Sequence, residues 1–348
     1  MSRNQSPLPA TRPVYSFVIP LFNEEAVLPI LLHRMDRLLE KLDGPAEVIF
    51  VDDGSKDTCG IVAAGRAKDD PRYRYIALSR NFGHQIAITA GMDAAAGDAV
   101  IIMDADLQDP PEVCLDLIAR WKDGYEIVYA QRLSREGETA LKLWTAKMFY
   151  RALRKLTAVD IPQNVGDFRL VDRRALDAFR AMPERDRFVR GMFGWMGFRQ
   201  TAVPFQRLAR AAGETKYGWK KMLRLALDGI IGFSDLPLRV ALWMGVAVSF
   251  AALGYGASVL VLALFGSGTG LASGWASMIV VLSLIGGMNL IMTGVVGLYV
   301  GRIHNEVKQR PLYVVGRTEG FQNAAAMPDA GVTGRGRVPV ADRRKVAS

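Results

Sequence analysis

The chain has few residues of the kinds that define several protein classes. Its 348 residues include only two cysteines, Cys59 and Cys114, which are too few for a disulfide scaffold of this length. Both fall in segments that we predict to face the cytosol, where thiols stay reduced. With 50% hydrophobic residues, the chain has ample material for a buried core, which excludes a predominantly disordered protein. Its length suggests about two folding units.

One long stretch of the chain has no charged residues, because no Asp, Glu, Lys, Arg or His occurs between Val240 and Gly301. A helix of about 20 residues crosses a hydrocarbon core, so this stretch is long enough for two crossings. Residues 266–274 are rich in glycine and serine and favour a turn. We predict membrane spans at about 240–264 and 278–300 rather than a buried hairpin, because soluble helices normally keep a polar face.

Basic residues flank the two predicted spans but not the loop between them. They are Lys216, Lys220, Lys221, Arg224 and Arg239 before the first span, and Arg302, Lys308, Arg310 and Arg317 after the second. The positive-inside bias places both flanks and both termini in the cytoplasm. No secretory signal is visible at the N-terminus, since Pro20 interrupts the first apolar run. We therefore expect a multi-pass protein of the cell inner membrane with a large cytosolic part.

The net charge of +9 does not indicate a nucleic-acid partner. The basic excess is concentrated between Glu184 and Arg224, directly before the first span, where it favours binding to a lipid bilayer with anionic head groups. Zinc-finger spacing and interleaved aromatic and basic residues are absent from the sequence. Lys216–Ile231 has apolar residues near helical spacing with lysines opposite, which predicts an amphipathic helix lying on the bilayer.

Short apolar runs alternate with amphipathic stretches in residues 14–130. The apolar runs predict strands at Tyr15–Pro20, Glu47–Val51, Tyr73–Leu78, Ala99–Met103 and Glu126–Ala130. The amphipathic stretches predict helices at Glu24–Leu42, Thr58–Lys68, His84–Ala96 and Pro111–Lys122. Strands separated by helices indicate an α/β domain with a mostly parallel, Rossmann-like sheet. Ligands bind such sheets beyond the carboxyl ends of the strands.

Polar residues follow three of these strands, at residues 23–25, 52–55 and 104–109. So many carboxylates at one sheet edge require a divalent cation or a network of donors. Asp104 and Asp106 lie two residues apart, so in an extended loop both carboxylates, together with Gln108, can face one point. Oxygen ligands without sulfur or histidine favour Mg²⁺ or Mn²⁺ over Zn²⁺.

The other two polar strand ends each have two interpretations. Asp52 and its neighbours form either a turn with a helix cap or a site that accepts hydrogen bonds from a base or ribose. Phe22 either flanks that base or belongs to the core. Glu24 is either a carboxylate stabilised at a helix start or a ribose ligand.

Four motifs, VIPLFNEE, VDDGSKDT, SRNFGHQIAITAGMDAAAGD and MDADLQDPPE, occur in the order and spacing of the family 2 glycosyltransferases with the GT-A fold. More narrowly, the sequence resembles the polyisoprenyl-phosphate glycosyltransferases, which include dolichyl-phosphate mannosyltransferase and bacterial enzymes that act on undecaprenyl phosphate. The resemblance continues through GDFRLVDRR (Gly166–Arg174), Glu184–Gln200 and Ala212–Gly229. It ends with two C-terminal spans, as in the bacterial type, and covers about residues 14–315.

The resemblance implies inverting transfer of a single sugar from a nucleotide-diphosphate sugar to a polyisoprenyl phosphate at the cytoplasmic membrane face. UDP-glucose and undecaprenyl phosphate are the preferred substrates, while GDP-mannose, UDP-N-acetylglucosamine and an aminopentose donor stay open. The QxxRW pattern of processive polysaccharide synthases is absent, which argues against a polymerase. Two alternatives remain, a different lipid acceptor such as a diacylglycerol and a non-catalytic scaffold that binds nucleotide sugars.

The resemblance also implies roles for individual residues. The nucleoside would be held by Pro20, Phe22, Glu24 and Asp52, the metal by Asp104, Asp106 and Gln108, and the acceptor or a phosphate by Arg132, Arg190 and Lys216. Asp167 would act near the reacting carbon as the base, with Asp106 and Arg169 as further catalytic residues, and Arg169 would also meet a phosphate. Position 22 is Phe where many relatives have Tyr, which removes a hydroxyl contact.

Physical chemistry leaves two of these roles open. A lipid phosphate is already an anion near neutral pH, so Asp167 can instead orient an arginine or the sugar, or be a turn residue. Arg169 and Arg190 lie in apolar runs, where a charge needs a counter-ion. Ion pairs with Asp167 or Glu184 are therefore the alternative to phosphate contacts. A divalent ion at Asp104 would neutralise charge on the leaving diphosphate.

These expectations divide the chain into five parts. They are a flexible N-terminus (1–13), a catalytic domain (14–212), interfacial helices (213–236), the two spans (237–302) and a largely flexible cytosolic tail (303–348). The spans contain no ionisable group, which argues against a transporter. Glycines in the second span, from Gly286 to Gly301, allow close helix packing and predict a homo-oligomer such as a tetramer.

Overall fold

The computed structural model describes residues 12–133, 165–185, 187–206, 236–265 and 275–321. The chain forms two compact units. The sheet unit contains the described residues up to 206 together with residues 309–321, and the helix-pair unit contains residues 236–308.

The elements of both units follow in chain order. The strands are β1 (Tyr15–Leu21), β2 (Ala46–Asp52), β3 (Tyr73–Leu78), β4 (Ala99–Ile102), β5 (Ile127–Arg132), β6 (Val165–Asp172), β7 (Gln200–Phe205) and β8 (Val315–Glu319). The helices are α1 (Leu28–Leu39), α2 (Cys59–Asp69), α3 (His84–Ala94), α4 (Val113–Lys122), α5 (Arg173–Ala181), α6 (Val189–Trp195), α7 (Leu236–Phe265) and α8 (Trp275–Val307).

One sheet with the strand order β7-β5-β6-β4-β1-β2-β3-β8 runs through the described part of the sheet unit. The neighbours β4, β1, β2 and β3 are parallel, whereas β6 and β8 run antiparallel to their neighbours. The predicted α/β class with a mostly parallel sheet is confirmed, and all five predicted strands are present. The first helix begins at Leu28 rather than Glu24, because the chain turns after β1 before the helix starts.

The central strand β1 is buried along its whole length because both faces of the sheet are covered. Phe17 and Ile19 lie in the core formed with α1, α2 and α4, whereas Val18 lies in the core formed with α3, α5 and α6. Alternate residues of a strand face opposite sides. A strand covered on both sides is therefore a continuous apolar run, which is why β1 could be predicted from the sequence.

Gly91 marks the closest packing of α3 on the sheet. A Cβ atom at Gly91 would lie 2.2 Å from Cγ1 of Val18 and 3.0 Å from Cγ2 of Val51. We expect Gly91→Ala to lower the free energy of unfolding by about 2 kcal/mol, because the added methyl group overpacks this interface. Denaturant unfolding of the detergent-solubilised chain measures the change.

Gly65 in α2 provides the matched control, because nothing lies within 4 Å of the position of its Cβ atom. Alanine has the higher helix propensity, so Gly65→Ala is expected to raise the free energy of unfolding by about 0.5–1 kcal/mol. If both substitutions changed the free energy of unfolding equally, close packing against β1 would not be the reason for a glycine at position 91.

The structure differs from expectation in residues 303–321, which were assigned to a largely flexible tail. Residues 303–307 continue α8, and β8 pairs antiparallel with β3 at the edge of the sheet. The predicted flexible N-terminus up to residue 11, the remainder of the tail (322–348) and the interfacial segment 213–235 lie outside the described residues.

The helices α7 and α8 form the helix-pair unit. Leu238–Ser258 and Val281–Val307 are long and apolar enough to cross a membrane, with mean hydropathies of 1.6 and 1.9, and their side chains are not buried in the unit. These helices contain the predicted spans and extend beyond them at both ends. Their length and composition indicate membrane association.

Candidate active site

The carboxyl ends of β1, β2, β3 and β4 meet at one edge of the sheet, because these strands are parallel neighbours. The loops that leave this edge are residues 22–27, 53–58, 79–83 and 103–112. In α/β proteins this edge is where ligands bind. It carries most of the residues singled out in the sequence and is the candidate active site.

The loops after β1 and β2 are joined by hydrogen bonds between side chains and backbone. Asn23, in the left-handed conformation with φ 56°, accepts a hydrogen bond from the backbone N–H of Lys56 at 2.8 Å. Its own N–H donates to Oγ of Ser55 at 3.1 Å. The N–H of Glu25 donates to Oδ2 of Asp57 at 3.0 Å. These bonds hold the two loops together as one surface.

Three of the predicted nucleoside-binding residues have distinct surroundings. Oδ1 of Asp52 accepts from the N–H of Ser55 at 2.8 Å and Oδ2 accepts from the hydroxyl of Tyr75 at 2.8 Å, so Asp52 closes the turn after β2. Its contact with a ribose stays a prediction. The ring of Phe22 is 44% exposed, which excludes the core interpretation. Pro20 is buried inside β1 and shapes the backbone below the site.

Glu24 and Asp53 hold the backbone at the starts of two helices. The carbonyl oxygen of Glu24 accepts from the N–H of Leu28 at 3.0 Å, at the first residue of α1. Asp53 is buried and accepts from the N–H groups of Phe82 at 2.7 Å and Gly83 at 2.9 Å, directly before α3. Burial raises the pKa of Asp53, and these two N–H donors oppose the rise.

Asp104 and Asp106 follow β4 and carry the clearest sign of a cation site. Oδ1 of Asp104 is buried and accepts no hydrogen bond from the described residues, and Nε2 of His84 lies 3.3 Å from it. Burial raises the pKa of Asp104, His84 opposes the rise, and Asp106 adds to it. Leu107 has φ 57° and turns the chain so that the N–H of Gln108 donates to Oδ1 of Asp106 at 3.2 Å.

These oxygen donors fit a hard divalent cation. A buried carboxylate oxygen that accepts no hydrogen bond is costly unless a cation compensates it. In this structure the imidazole of His84, 3.3 Å from Oδ1 of Asp104, is the neighbouring cation, and a metal ion would compete with it for this oxygen. Within the ranges that the structure describes, no three His, Cys, Asp or Glu side chains form a complete ligand set. An ion held by Asp104 and Asp106 would therefore complete its shell with water or with diphosphate oxygens.

Asp167, in β6, is buried, and four side chains lie around its carboxylate, the most distant being Arg169 with Nη2 3.9 Å from Oδ1. Arg190 donates from Nε at 2.8 Å and from Nη2 at 3.1 Å, Gln85 donates at 3.1 Å, and Nε2 of His84 lies at 3.4 Å. Burial disfavours the charged form, but Arg190 and His84 outweigh it and hold the pKa of Asp167 well below its usual range. Burial lowers the pKa of His84, yet Asp167 and Asp104 together raise it to about 9.

Arg190 and Arg169 were both predicted to meet a phosphate, but only Arg190 is accessible. Arg190 has the counter-ion that its apolar surroundings require, Asp167, and this ion pair leaves its contact with a phosphate a prediction. Arg169 is 3% exposed, donates to the carbonyl of Gly166 at 2.9 Å and lies over the ring of Phe193 at 5.1 Å. Burial lowers its pKa to about 10. The Arg169 side chain supports the backbone beside Asp167, and its contact with a phosphate stays a prediction.

The remaining predicted phosphate contacts are Arg132 and Lys216. Arg132 ends β5, and its Nη2 lies 3.5 Å from Oδ1 of the buried Asp109, at the end of the loop that carries the paired aspartates. A Cβ atom at Gly166 would lie 3.0 Å from Nη2 of Arg132, so glycine leaves room for the arginine. Lys216 lies outside the described residues.

Sequence reasoning missed Asp53, His84 and Gln85. The signal that could have found His84 is its position, because it is one of three histidines and follows directly on a strand-end loop at the start of α3. Its contacts with Asp104 and Asp167 depend on where α3 packs, which no local pattern shows.

The chain is similar to known glycosyltransferases over most of its length. The model of Glycosyl transferase family 2 matches residues 16–180. The uncharacterized glycosyltransferase YkcC of Bacillus subtilis (strain 168) is 48% identical over 309 residues, which cover 89% of this chain and 95% of that protein. The prophage bactoprenol glucosyl transferase homolog of Escherichia coli (strain K12) is 39% identical over 305 residues, 87% of this chain and 99% of that protein.

Among solved structures, glucosyl-3-phosphoglycerate synthase from Mycobacterium tuberculosis, in complex with Mn²⁺, uridine-diphosphate-glucose and phosphoglyceric acid, is similar at 18% identity. The likeness covers 64% of this chain and 78% of that chain, with a TM-score of 0.42. Family membership rests on the curated relatives, which match almost from end to end. This chain belongs to glycosyl transferase family 2 and is a glycosyltransferase.

Proposed function

We propose that this glycosyltransferase moves one glucosyl group, with inversion, from UDP-glucose to undecaprenyl phosphate at the cytoplasmic face of the inner membrane. The observation that carries the proposal is Asp104, whose buried Oδ1 accepts no hydrogen bond from the described residues at the ligand-binding edge of the sheet. Two helices of membrane length support a lipid acceptor. The relative named as a bactoprenol glucosyl transferase homolog supports glucose and a lipid carrier.

The donor nucleoside is assigned to the surface formed by the loops after β1 and β2. The exposed ring of Phe22 offers an apolar face to the base. Asp52 has lone pairs beyond the two that accept from Ser55 and Tyr75, and Glu24 adds a second carboxylate for the ribose hydroxyls. Pro20 positions the backbone below them.

The donor diphosphate is assigned to Asp104, Asp106 and Gln108, which would hold Mg²⁺ or Mn²⁺. When bound, the ion supplies charge neutralisation to the departing diphosphate. The chain's own contribution is to hold the two carboxylates in place, Asp104 beside His84 at the end of β4 and Asp106 by the turn at Leu107.

We assign to Asp167 the role of orienting the groups that bind the acceptor. It is not assigned the role of a base that removes a proton. A good general base has a pKa near the working pH, whereas Arg190 and His84 hold the pKa of Asp167 well below its usual range. The acceptor phosphate is already an anion and needs no strong base. Arg190, fixed by two bonds to Asp167, presents a guanidinium to that phosphate, with Arg132 and Lys216 as further contacts.

The membrane arrangement follows from the charge pattern. Basic residues flank the two apolar helices, which supports the proposal that the sheet unit and both termini lie in the cytoplasm. Glycines along α8 leave open space beside the helix, and we propose that second copies of the chain pack there in a homo-oligomer.

The decisive assay combines the purified full chain with undecaprenyl phosphate, Mg²⁺ or Mn²⁺ and radiolabelled UDP-glucose. We expect label in the organic phase, in a product that releases glucose on mild acid treatment. Undecaprenol is the matched acceptor control, because it has the same chain without the phosphate and should stay unlabelled. UDP-N-acetylglucosamine, GDP-mannose and a UDP-aminopentose form the donor panel.

Each outcome of this assay decides one part of the proposal. If another donor labels undecaprenyl phosphate, the chain still glycosylates a lipid phosphate but the sugar is not glucose. If a diacylglycerol is labelled, the proposed acceptor is wrong. The absence of lipid-linked product across the whole panel would defeat the proposal. Retention of cellular function by Asp106→Ala would instead favour the non-catalytic scaffold.

A further inference from the structure

The chain beyond α8 returns to the sheet unit through residues 312–321, here called the return segment. Its strand β8 pairs with β3, and Leu312, Val315 and Phe321 pack against the core that contains α3. Gly320 has φ 80°, and a Cβ atom there would lie 2.5 Å from the carbonyl oxygen of Tyr73, so the segment fits closely against its neighbour. The family model stops at residue 180 and does not include this segment.

Two hydrogen bonds join the return segment to the stretch 79–93, one at each end. The N–H of Ser79 donates to the carbonyl oxygen of Val314 at 2.8 Å, at the start of the loop after β3. The hydroxyl of Tyr313 donates to Oδ2 of Asp93 at 2.9 Å, in the last turn of α3. Tyr313 is 4% exposed, so this bond is shielded from water.

The residues between these two bonds reach the active site. Asp53 accepts from the N–H groups of Phe82 and Gly83, and α3 then presents His84 and Gln85 to Asp167. A rigid helix transmits a displacement of its last turn to its first. The contact at Asp93 therefore bears on where His84 and Gln85 lie. It acts together with Arg180, which donates to the carbonyl oxygens of Met92, Asp93 and Ala95 at the same helix end.

We propose that Tyr313 is a positioning residue of the active site, which through Asp93 holds α3 so that His84 and Gln85 stay in contact with Asp167. The return segment follows α8 closely in the chain, so the residues that secure the site are also those nearest in sequence to the second membrane-length helix. Burial raises the pKa of Tyr313 well above its usual value, and Asp93 adds to the rise, so the hydroxyl stays protonated and donates.

Tyr313→Phe tests this role, because it removes the hydroxyl and keeps the packed ring. In the transfer assay we expect kcat to fall about fivefold, equivalent to about 1 kcal/mol, which is the size of one typical intramolecular hydrogen bond. The KM values for donor and acceptor should stay within about twofold, because the substrate contacts themselves remain. Hydrogen exchange of the full chain should become faster at amides 80–88 and stay unchanged in β1 and β2.

Arg317→Ala is the matched control on the same segment. Arg317 is exposed and pairs with Glu319 on the surface of β8, away from both bonds to the stretch 79–93. We expect neither kcat nor exchange at amides 80–88 to change. Should Tyr313→Phe fail to fold, Asp93→Asn weakens the same contact from the other side and is judged by the same criteria.

The inference rests on the proposed function only for its kinetic part. If the wild-type chain transfers no sugar, the proposed function fails, yet the exchange comparison still decides the positioning role. Unchanged exchange at amides 80–88 in the folded variant overturns the proposal. So does a fall in kcat that is matched by a rise in KM, since that would indicate lost substrate binding rather than a displaced α3.

Discussion

Asp104→Asn is expected to lower kcat of sugar transfer by about a thousandfold, equivalent to about 4 kcal/mol of lost transition-state stabilisation. Asp104 is the group whose buried Oδ1 accepts no hydrogen bond from the described residues and lies 3.3 Å from the cationic His84. Asparagine has nearly the same shape but no charge. It therefore removes the ability to compensate a cation while leaving the turn after β4 intact.

The measurement is steady-state transfer of label from UDP-glucose at a series of Mn²⁺ concentrations. We expect the residual activity of Asp104→Asn to need more Mn²⁺ than the wild type, because one charged ligand is missing. The folded fraction is checked separately by thermal unfolding in detergent. A similar shift is expected for Asp106→Asn.

Asp69→Asn provides the matched control for this change of charge. Asp69 is an exposed carboxylate in the last turn of α2, and it has the same chemistry outside the ligand-binding edge. We expect its kcat and Mn²⁺ dependence to equal those of the wild type. If Asp104→Asn kept more than about a tenth of the activity, the charge-neutralising role would be wrong.

The sequence predicts the sheet well because its strands are short apolar runs with polar ends. Residues on β1 are buried on both faces, so each of them is apolar or shielded, and the strand is visible without any tertiary information. The same contrast locates the loops after β1, β2 and β4. Because parallel strands end at one edge, Asp52 and Asp104 could be placed in one site before the structure was known.

The role of a residue could not be predicted from the sequence where that role depends on the packing of a helix or the orientation of a strand. Arg169 and Arg190 both appear as charges in apolar runs, yet Arg169 pairs with Ile102 in the middle of the sheet while Arg190 lies on α6 and reaches Asp167. Nothing local distinguishes the two. His84 was missed for a related reason, since only the packing of α3 brings it to Asp104.

The strand β8 was missed because its own sequence carries almost no pattern. Val315–Glu319 contains glycine, arginine, threonine and glutamate, which is typical of an exposed segment. It forms a strand because β3 offers an edge with unpaired backbone groups, and pairing satisfies them. Such a strand forms because a neighbouring strand is available for pairing, so its own composition does not predict it.

Asp167→Asn is expected to lower kcat about a hundredfold and the free energy of unfolding by about 3 kcal/mol. Asp167 is buried and holds Arg190 at 2.8 Å and 3.1 Å, with His84 at 3.4 Å. The amide leaves the guanidinium without its counter-ion in a mostly buried place. It also removes the charge that holds Arg190 and His84 beside β6.

The double variant Asp167→Asn/Arg190→Gln separates the two effects. It removes one of the cations that Asp167 compensates, so part of the lost stability should return. Arg169, 3.9 Å from Oδ1 of Asp167, and His84 still lie beside the amide. Activity should not return, since the guanidinium that is proposed to meet the acceptor phosphate is gone. Thermal unfolding in detergent and transfer to undecaprenyl phosphate measure the two quantities on the same preparations.

The single variant Arg190→Gln completes the cycle and decides whether the two residues act together. If Asp167 works by orienting Arg190, the double variant should be no less active than Arg190→Gln alone, because residues that act as one unit have non-additive effects. If Asp167 were instead the base, its loss would lower kcat further even without the arginine. Strictly multiplicative losses would therefore return Asp167 to the role of proton acceptor.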